Sequence, residues 1–339
     1  MDTTTEQVDT EKLNMESEQE ELKKTEDPEE SDNAIEVDDS VELDDDEDDD
    51  ENDENDEDDE DNAGNDDIKD DLPSILYIVS YRARNKYRKA NFKYTMEWLN
   101  NVQKYLNDSN KVTFDIFVVE QDAEQKVDTK LYPNVDLLFL ENAGLFNKGW
   151  SFNCVVKKLS DYDYYAFADA DIIVPNITDF CNEVIKYCSG DPVDVFRPFK
   201  DRLNTVLGDL ESCNNVDEII EKYGNNSLNL TKHIGLPFAG NMIFVSRQLY
   251  NKIGGWDEEF RGWGRYDDFF TYKLLKIGGC KEIMSPLSAI HLWHPITLDF
   301  SLRQENISLY DKYMKYTDEE LSTLIEENLK NNSNLNKYK

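Results

Sequence analysis

Tyr164-Tyr165-Ala166-Phe167-Ala168-Asp169-Ala170-Asp171-Ile172-Ile173-Val174-Pro175 reads as a buried strand that runs straight into two carboxylates one residue apart. The stretch from Tyr164 to Ala168 is continuously apolar, the pattern of a strand covered on both faces. Asp169 and Asp171 follow at its carboxyl end, where ligands of open α/β sheets bind. Their apolar neighbours Ala168, Ala170 and Ile172 would bury them, unlike the residues of a solvated turn. Two oxygen donors at this spacing suit Mg²⁺ or Mn²⁺, and such an ion can bridge a nucleotide diphosphate. Asp-x-Asp is common by chance. Its place behind a buried strand is what gives it weight.

Toward the amino terminus the alternation repeats. Ser74-Ile75-Leu76-Tyr77-Ile78-Val79 is another continuous apolar run, as are Phe114 to Val119, ending in Glu120-Gln121, and Val135 to Leu140. Phe92, Met96, Leu99, Val102 and Leu106 lie on one helical face, and a shorter helix is expected from about Ser151 to Leu159. Strands separated by helices imply an α/β fold with a mostly parallel central sheet flanked by helices. Behind the first strand comes Ser80-Tyr81-Arg82-Ala83-Arg84. Arginines at that end of a sheet can meet phosphates, although a solvated basic turn would look the same.

Toward the carboxyl terminus stands Gly254-Gly255-Trp256-Asp257-Glu258-Glu259-Phe260-Arg261-Gly262-Trp263-Gly264-Arg265-Tyr266-Asp267-Asp268. Glycines on both sides of a tryptophan suggest a loop that approaches a ligand beneath an aromatic plate. Asp267 and Asp268 open a helix carrying Phe270, Leu274 and Ile277, with Gly278 as its C′ residue. The helix dipole favours a carboxylate there, and an ionised carboxylate beside an aromatic wall is what a general base acting on a hydroxyl needs. A Gly-rich turn and an ordinary helix cap fit the same residues equally well. Earlier, Val216 to Tyr223 reads as a helix and Gly224-Asn225-Asn226-Ser227 as a loop. Pro237 to Ser246 reads as a turn and a strand, with Ser246 capping the next helix. Two of the three histidines, His291 and His294, follow a strand-like stretch; two satisfied core or surface histidines are the bland reading.

Charge divides the chain. Of its 74 acidic residues, 37 lie in residues 1 to 72, against 4 of its 36 basic residues. That segment accounts for a net charge of -33 out of -38, so the remainder is nearly balanced. Val41 to Asp61 has too little apolar surface to offset ordering entropy, and disorder is expected over residues 1–71. A spacer or solubilising tail is the simplest reading, and a binder of basic proteins the alternative. The rest is the size of one large α/β domain. No apolar run approaches the ~18 residues of a membrane span. Five scattered cysteines without paired spacing fit a reducing compartment, so a cytoplasmic location is expected.

The order of these motifs resembles the β-1,4-galactosyltransferases, and the Gly-Gly-Trp-Asp to Gly-Trp-Gly stretch also resembles the C-terminal motif of polypeptide N-acetylgalactosaminyltransferases. The resemblance runs from about Ile75 to Pro295 through Val118-Val119-Glu120-Gln121, Phe146-Asn147-Lys148-Gly149, Asp161-Tyr162-Asp163-Tyr164, Asp169-Ala170-Asp171 and Pro175. It implies a nucleotide-diphospho-sugar transferase (GT-A) domain over 72–315; the composition of 316–339 reads as a polar C-terminal helix ending in an Asn/Lys-rich disordered stretch. It implies Asp267 as the base on the acceptor hydroxyl, with Asp268 as rival. Asp171 and His294, then His291, would hold Mn²⁺ or Mg²⁺. Ser80, Tyr81, Arg82, Arg84, Lys148, Asp169, Gly240 and Trp263 would contact the nucleotide sugar. This chain departs from the family at Ser80 (usually Pro), Lys148 (usually Arg) and Tyr266 (usually Glu). Phe238 lacks the hydroxyl that tunes donor choice in some members, which leaves the sugar open.

The expectation is an inverting transfer of a hexose or N-acetylhexosamine from a UDP-linked donor to a glycan, glycoprotein or other hydroxyl acceptor, with no nucleic-acid partner. A retaining transferase, an inactive sugar-nucleotide-binding protein and an acidic-tail binder of basic proteins are the alternatives.

Overall fold

Strand β1 (Ser74–Tyr81) lies between two parallel partners, β2 (Thr113–Asp122) and β4 (Tyr164–Asp169). The computed structural model describes residues 72–205, 210–224, 230–231, 238, 240–295 and 300–338. The acidic tail lies outside the described residues, as do Asn225 to Ser227 of the expected loop and Pro237. The chain divides into two units, Met1–Asp66 and Asp67–Lys339, and every described residue belongs to the second.

Helix α1 (Lys86–Asp108) connects β1 to β2, β3 (Val135–Glu141) pairs parallel with β2, and α2 (Lys148–Lys158) crosses back to β4. Beyond β5 (Ile172–Ile173) come α3 (Ile177–Ile185), β6 (Val195–Phe196), β7 (Asp201–Asn204), α4 (Val216–Tyr223) and β8 (Leu230–Thr231). Then follow β9 (Met242–Ser246), α5 (Arg247–Lys252), α6 (Tyr266–Lys276), β10 (Ser288–His291), α7 (Arg303–Tyr313) and α8 (Asp318–Asn331). The main sheet has the order β3-β2-β1-β4-β9-β6, in which β9 runs against its neighbours. A smaller sheet, β5-β10-β7-β8, stands at the end of β4. The mostly parallel α/β expectation is borne out. Strand order reverses between β1 and β4, which opens a crevice beyond their carboxyl ends. Ser80 and Asp169 face each other there in register.

The apolar runs are continuous because both sheet faces are covered. Ile75, Tyr77 and Val79 pack with the expected α1 face of Phe92, Met96, Leu99, Val102 and Leu106. Leu76 and Ile78 pack on the other side with Trp150, Phe152, Trp256 and Phe270. Helix α2 begins three residues earlier than expected. Gly149 disguised its start, and the glycine has a packing reason: a Cβ there would stand 2.8 Å from the Asp257 carbonyl oxygen. Asn147 caps the helix, its Oδ1 accepting from Trp150 N at 2.9 Å. Ser246 caps α5 as expected. At the end of α6 the left-handed residue is Gly279 (φ 69°), while Gly278 is held tight against Leu274.

The carboxyl-terminal residues were expected to be disordered beyond their helix. Instead, residues 332–338 fold back as a strap. Ser333 N donates to Glu258 Oε1 (2.7 Å), Trp150 Nε1 to the Asn334 carbonyl (2.8 Å), and Lys337 Nζ to Glu258 Oε2 (3.0 Å). Asn147 Nδ2 donates to the Tyr338 hydroxyl at 2.7 Å. Composition hid this because the strap is held by a few long-range polar contacts and one aromatic ring, not by an apolar face. The Glu258 side chain is only 1% exposed, so its charge depends on these partners. Lys337→Met is expected to cost about 1–3 kcal/mol, lowering the melting temperature by several degrees. An unchanged melt would mean that the strap does not hold the domain.

Candidate active site

Two groups of polar side chains meet beyond β1 and β4. The first is built by pairing β10 antiparallel to β5, with His291 opposite Ile172 and Leu292 N donating to the Asp171 carbonyl at 2.8 Å. This brings Asp171, His291 and His294 together, one ligand atom from each lying within 4.8 Å of the others. His294 Nε2 is 3.1 Å from Asp171 Oδ2, and His291 Nε2 is 3.8 Å from Oδ1. Helix α1 anchors the histidine loop through Asn91, whose Nδ2 donates to the Leu292 and Trp293 carbonyls at 3.1 Å each. His294 Nδ1 faces the Pro295 carbonyl at 3.0 Å; a carbonyl only accepts, so Nδ1 carries a proton there, and Nε2 is the nitrogen that faces Asp171 and would meet a metal in place of its own proton.

Electrostatics suit a cation. Burial would raise the Asp171 carboxyl, but Arg88 first, then the hydrogen bond to His294, hold it well below the usual carboxylate range. Burial lowers His291 to about 4 against the pull of Asp171, so its ring is neutral near pH 7 and able to ligate. Donors about 2.1 Å from an ion stand about 3 to 4.2 Å apart, and this set fits within that frame after small side-chain movements.

The second group centres on Lys148, at the start of α2. Its ammonium is buried, 2.7 Å from Asp169 Oδ1 and 3.6 Å from Asp267 Oδ1, with the Tyr266 ring centre 5.3 Å away. Burial works against the ammonium, but Asp169 and Asp267 hold it protonated above its ordinary range. Asp267 lies in the first turn of α6, as expected. Burial raises its carboxyl to about 6, with Asp169 and Asp268 adding to the rise and Lys148 opposing it. Asn241 Nδ2 donates to Asp169 Oδ2 at 3.4 Å and accepts at Oδ1 from Arg202 at 2.9 Å. Gly240 and Asn241 both have positive φ (79° and 66°), and a Cβ on Gly240 would lie 3.9 Å from Asp267 Oδ2. Left-handed backbone beside paired carboxylates is the kind of strain found at functional sites.

The other expected contacts divide. Arg82 is a corner brace: Nε donates to the Gln121 carbonyl (2.5 Å), Nη1 to that of Gly144 (2.7 Å) and Nη2 to that of Asn142 (3.0 Å). Its fork is spent on the frame. Tyr81 also belongs to the frame, its ring stacked on Phe92 at 4.2 Å. Ser80 is buried at the crevice with its hydroxyl unsatisfied, whereas Arg84 is exposed at the rim. Asp268 is paired with Arg265 at 3.1 Å and is less enclosed than Asp267. In the Gly-rich stretch the tryptophans part company. Trp256 stacks on Phe270 in the core (3.8 Å, 3° between planes), while Trp263 is 37% exposed on a loop in which Gly262, Gly264 and Arg265 all have positive φ. Arg88, Arg202 and Asn241 carried no local signal as site residues. Arg88 sits in the first turn of α1, and Arg202 in a segment without a motif.

No protein-family model matches the chain, and no curated protein matches it by sequence. Several solved structures are similar to it. The catalytic domain of Drosophila β1,4-galactosyltransferase 7, complexed with xylobiose, is 15% identical with a TM-score of 0.42, over 73% of this chain and 82% of that one. Mannosyltransferase PcManGT from Pyrobaculum calidifontis, in complex with GDP-Man and Mn²⁺, is 17% identical with a TM-score of 0.43, over 76% and 69%. GalNAc-T7 with UDP, GalNAc and Mn²⁺ is 15% identical with a TM-score of 0.47, over 72% of this chain and 48% of that one. Likenesses this remote carry no functional conclusion. Among the described residues, no helix is long and apolar enough to cross a membrane.

Proposed function

We propose that this protein is a metal-dependent glycosyltransferase of the GT-A type. It moves a hexose or N-acetylhexosamine from a UDP-linked donor to a hydroxyl of a glycan, glycoprotein or other acceptor, inverting the anomeric centre. One juxtaposition carries the reading. A cation site of two imidazoles and a carboxylate stands at the same sheet end as a half-buried carboxylate raised to about 6, which Lys148 links to Asp169. A diphosphate leaving group needs charge neutralisation and an acceptor hydroxyl needs a base, and these two groups match those needs.

Asp171, His291 and His294 would hold the divalent ion, Mn²⁺ or Mg²⁺. When bound, it supplies Lewis-acid stabilisation of charge on the diphosphate. Asp267 takes the acceptor proton at Oδ1 or Oδ2. Lys148 keeps Asp169 and Asp267 near each other without mutual repulsion and limits how far the base is raised. Trp263 offers an exposed ring face to a sugar. Ser80 and the backbone after β1 line the nucleotide side, with Arg84 at its rim. The same reading divides the chain into an acidic tail to residue 71, a transferase domain over 72–315, and a C-terminal helix with its strap over 316–339.

The direct test is a screen of UDP-sugars with Mn²⁺, measuring nucleotide release with and without hydroxyl acceptors and the configuration of any product. Retention of configuration would overturn the inverting assignment. No release from any donor would overturn the enzyme assignment. UDP binding is expected to need the divalent ion, because without it Arg88 and Lys148 are committed to Asp171 and Asp169 and do not offset the charge of a diphosphate. Calorimetry should show UDP affinity rising at least about tenfold from EDTA to Mn²⁺. Equal affinity in the two conditions would contradict the assigned role of the ion.

A further inference from the structure

The carboxylate assigned to the cation already has a cationic partner. Arg88, in the first turn of α1, places Nη1 against Asp171 Oδ2, the same oxygen that His294 approaches at 3.1 Å. Asp171 is almost fully buried, and a buried carboxylate without a counter-charge is costly. The Arg88 side chain is not trapped: it is 30% exposed, and its other donors have no hydrogen-bond partner among the described residues. Its backbone is fixed, since Arg88 N donates to the Asn85 cap at 2.9 Å. The neighbouring cations are committed, Arg82 to backbone carbonyls and Lys148 to two carboxylates.

A guanidinium and a divalent cation in contact with one carboxylate oxygen compete for its lone pairs and repel each other. We propose that Arg88 is an exchangeable counter-ion: it neutralises Asp171 in the metal-free protein and turns to the diphosphate of the nucleotide when the cation site is loaded. The proposal rests on the metal-centre reading above. The fork of a guanidinium matches phosphate oxygens, and a side chain released within a few ångströms needs only rotamer changes to reach them. Arg88 thereby takes the phosphate role expected of Arg82, and in the metal-free state it screens a buried charge.

The exchange predicts opposite signs for two ligands, which a purely structural ion pair would not produce. In the full-length protein, Arg88→Gln should bind Mn²⁺ alone about tenfold more tightly, because no guanidinium must be displaced. It should bind UDP in saturating Mn²⁺ about tenfold more weakly, the loss expected for a charged hydrogen bond. Arg88→Lys keeps a counter-charge and guards against misfolding of the first variant. It should bind Mn²⁺ like the parent, yet UDP more weakly, because an ammonium lacks the fork. Calorimetry reads all four affinities. Weaker Mn²⁺ binding in both variants would overturn the exchange, since Arg88 would then organise the site. Tighter Mn²⁺ binding with unchanged UDP affinity would overturn the diphosphate half. No Mn²⁺ binding by the unmodified protein would overturn the metal centre and the exchange together, a result distinct from either failure.

Discussion

Asp267→Asn is expected to lower acceptor-dependent transfer by about 10²–10⁴, the range for losing a general base, while Mn²⁺ and UDP affinities stay within a few-fold of the parent. The amide keeps the shape of the side chain but cannot take a proton. Asp267 is not one of the three residues grouped as cation ligands, and its charged partner is Lys148, so its loss should act on the acceptor side. Asp268→Asn is the control. Its partner is Arg265, and its loss should be the smaller lesion, acting through the start of α6. The reverse ranking would move the base by one residue. Loss of neither activity would favour a retaining reaction. The same assignment sets a pH profile. Asp267 must be ionised to act, and its carboxyl is raised to about 6, so kcat/KM should fall as pH drops through that value. An acid limb near 4 would show that the working base is an unperturbed carboxylate.

Asp171→Asn should do the opposite, weakening Mn²⁺ by about 10² or more and UDP with it. Loss of outer residues around a metal costs about 10–100-fold, and Asp171 is assigned to the ion directly. Its oxygens face His291, His294 and Arg88, so removing the charge empties the centre of that group. Circular dichroism should show the fold retained, because Arg88 can reach water. His294→Ala should resemble Asp171→Asn in milder form if His291 carries part of the load. Unchanged Mn²⁺ affinity in Asp171→Asn would remove the metal centre from this end of the sheet.

Local chemistry made much of the protein legible. The helical face of α1, the buried runs of β1 and β4 and the Ser246 cap follow from residues within a few positions of one another, because periodicity and capping are local. The same holds for the position of Asp169 and Asp171 behind a strand, and of Asp267 and Asp268 in the first turn of a helix. The end of the sheet that collects ligands follows from the alternation of strands and helices. The strap was not legible, because its contacts join residues 75 or more positions apart, such as Ser333 and Glu258.

The partners of the charges were not legible either. Two arginines after β1 looked equivalent in sequence, yet Arg82 is spent on carbonyls at the ends of β2 and β3, whereas Arg84 is exposed at the rim. Arg88 looked like an ordinary helix residue and meets Asp171 across 83 positions of chain. Lys148 meets Asp267 more than a hundred positions along the chain, a pairing that no local pattern announces. The sequence by itself determined the fold class and which end of the sheet bears the carboxylates, because hydrophobic periodicity and capping act over a few residues. Only the tertiary structure decided which charge faces which, because ion pairing and burial depend on distances between elements that the order of residues does not contain.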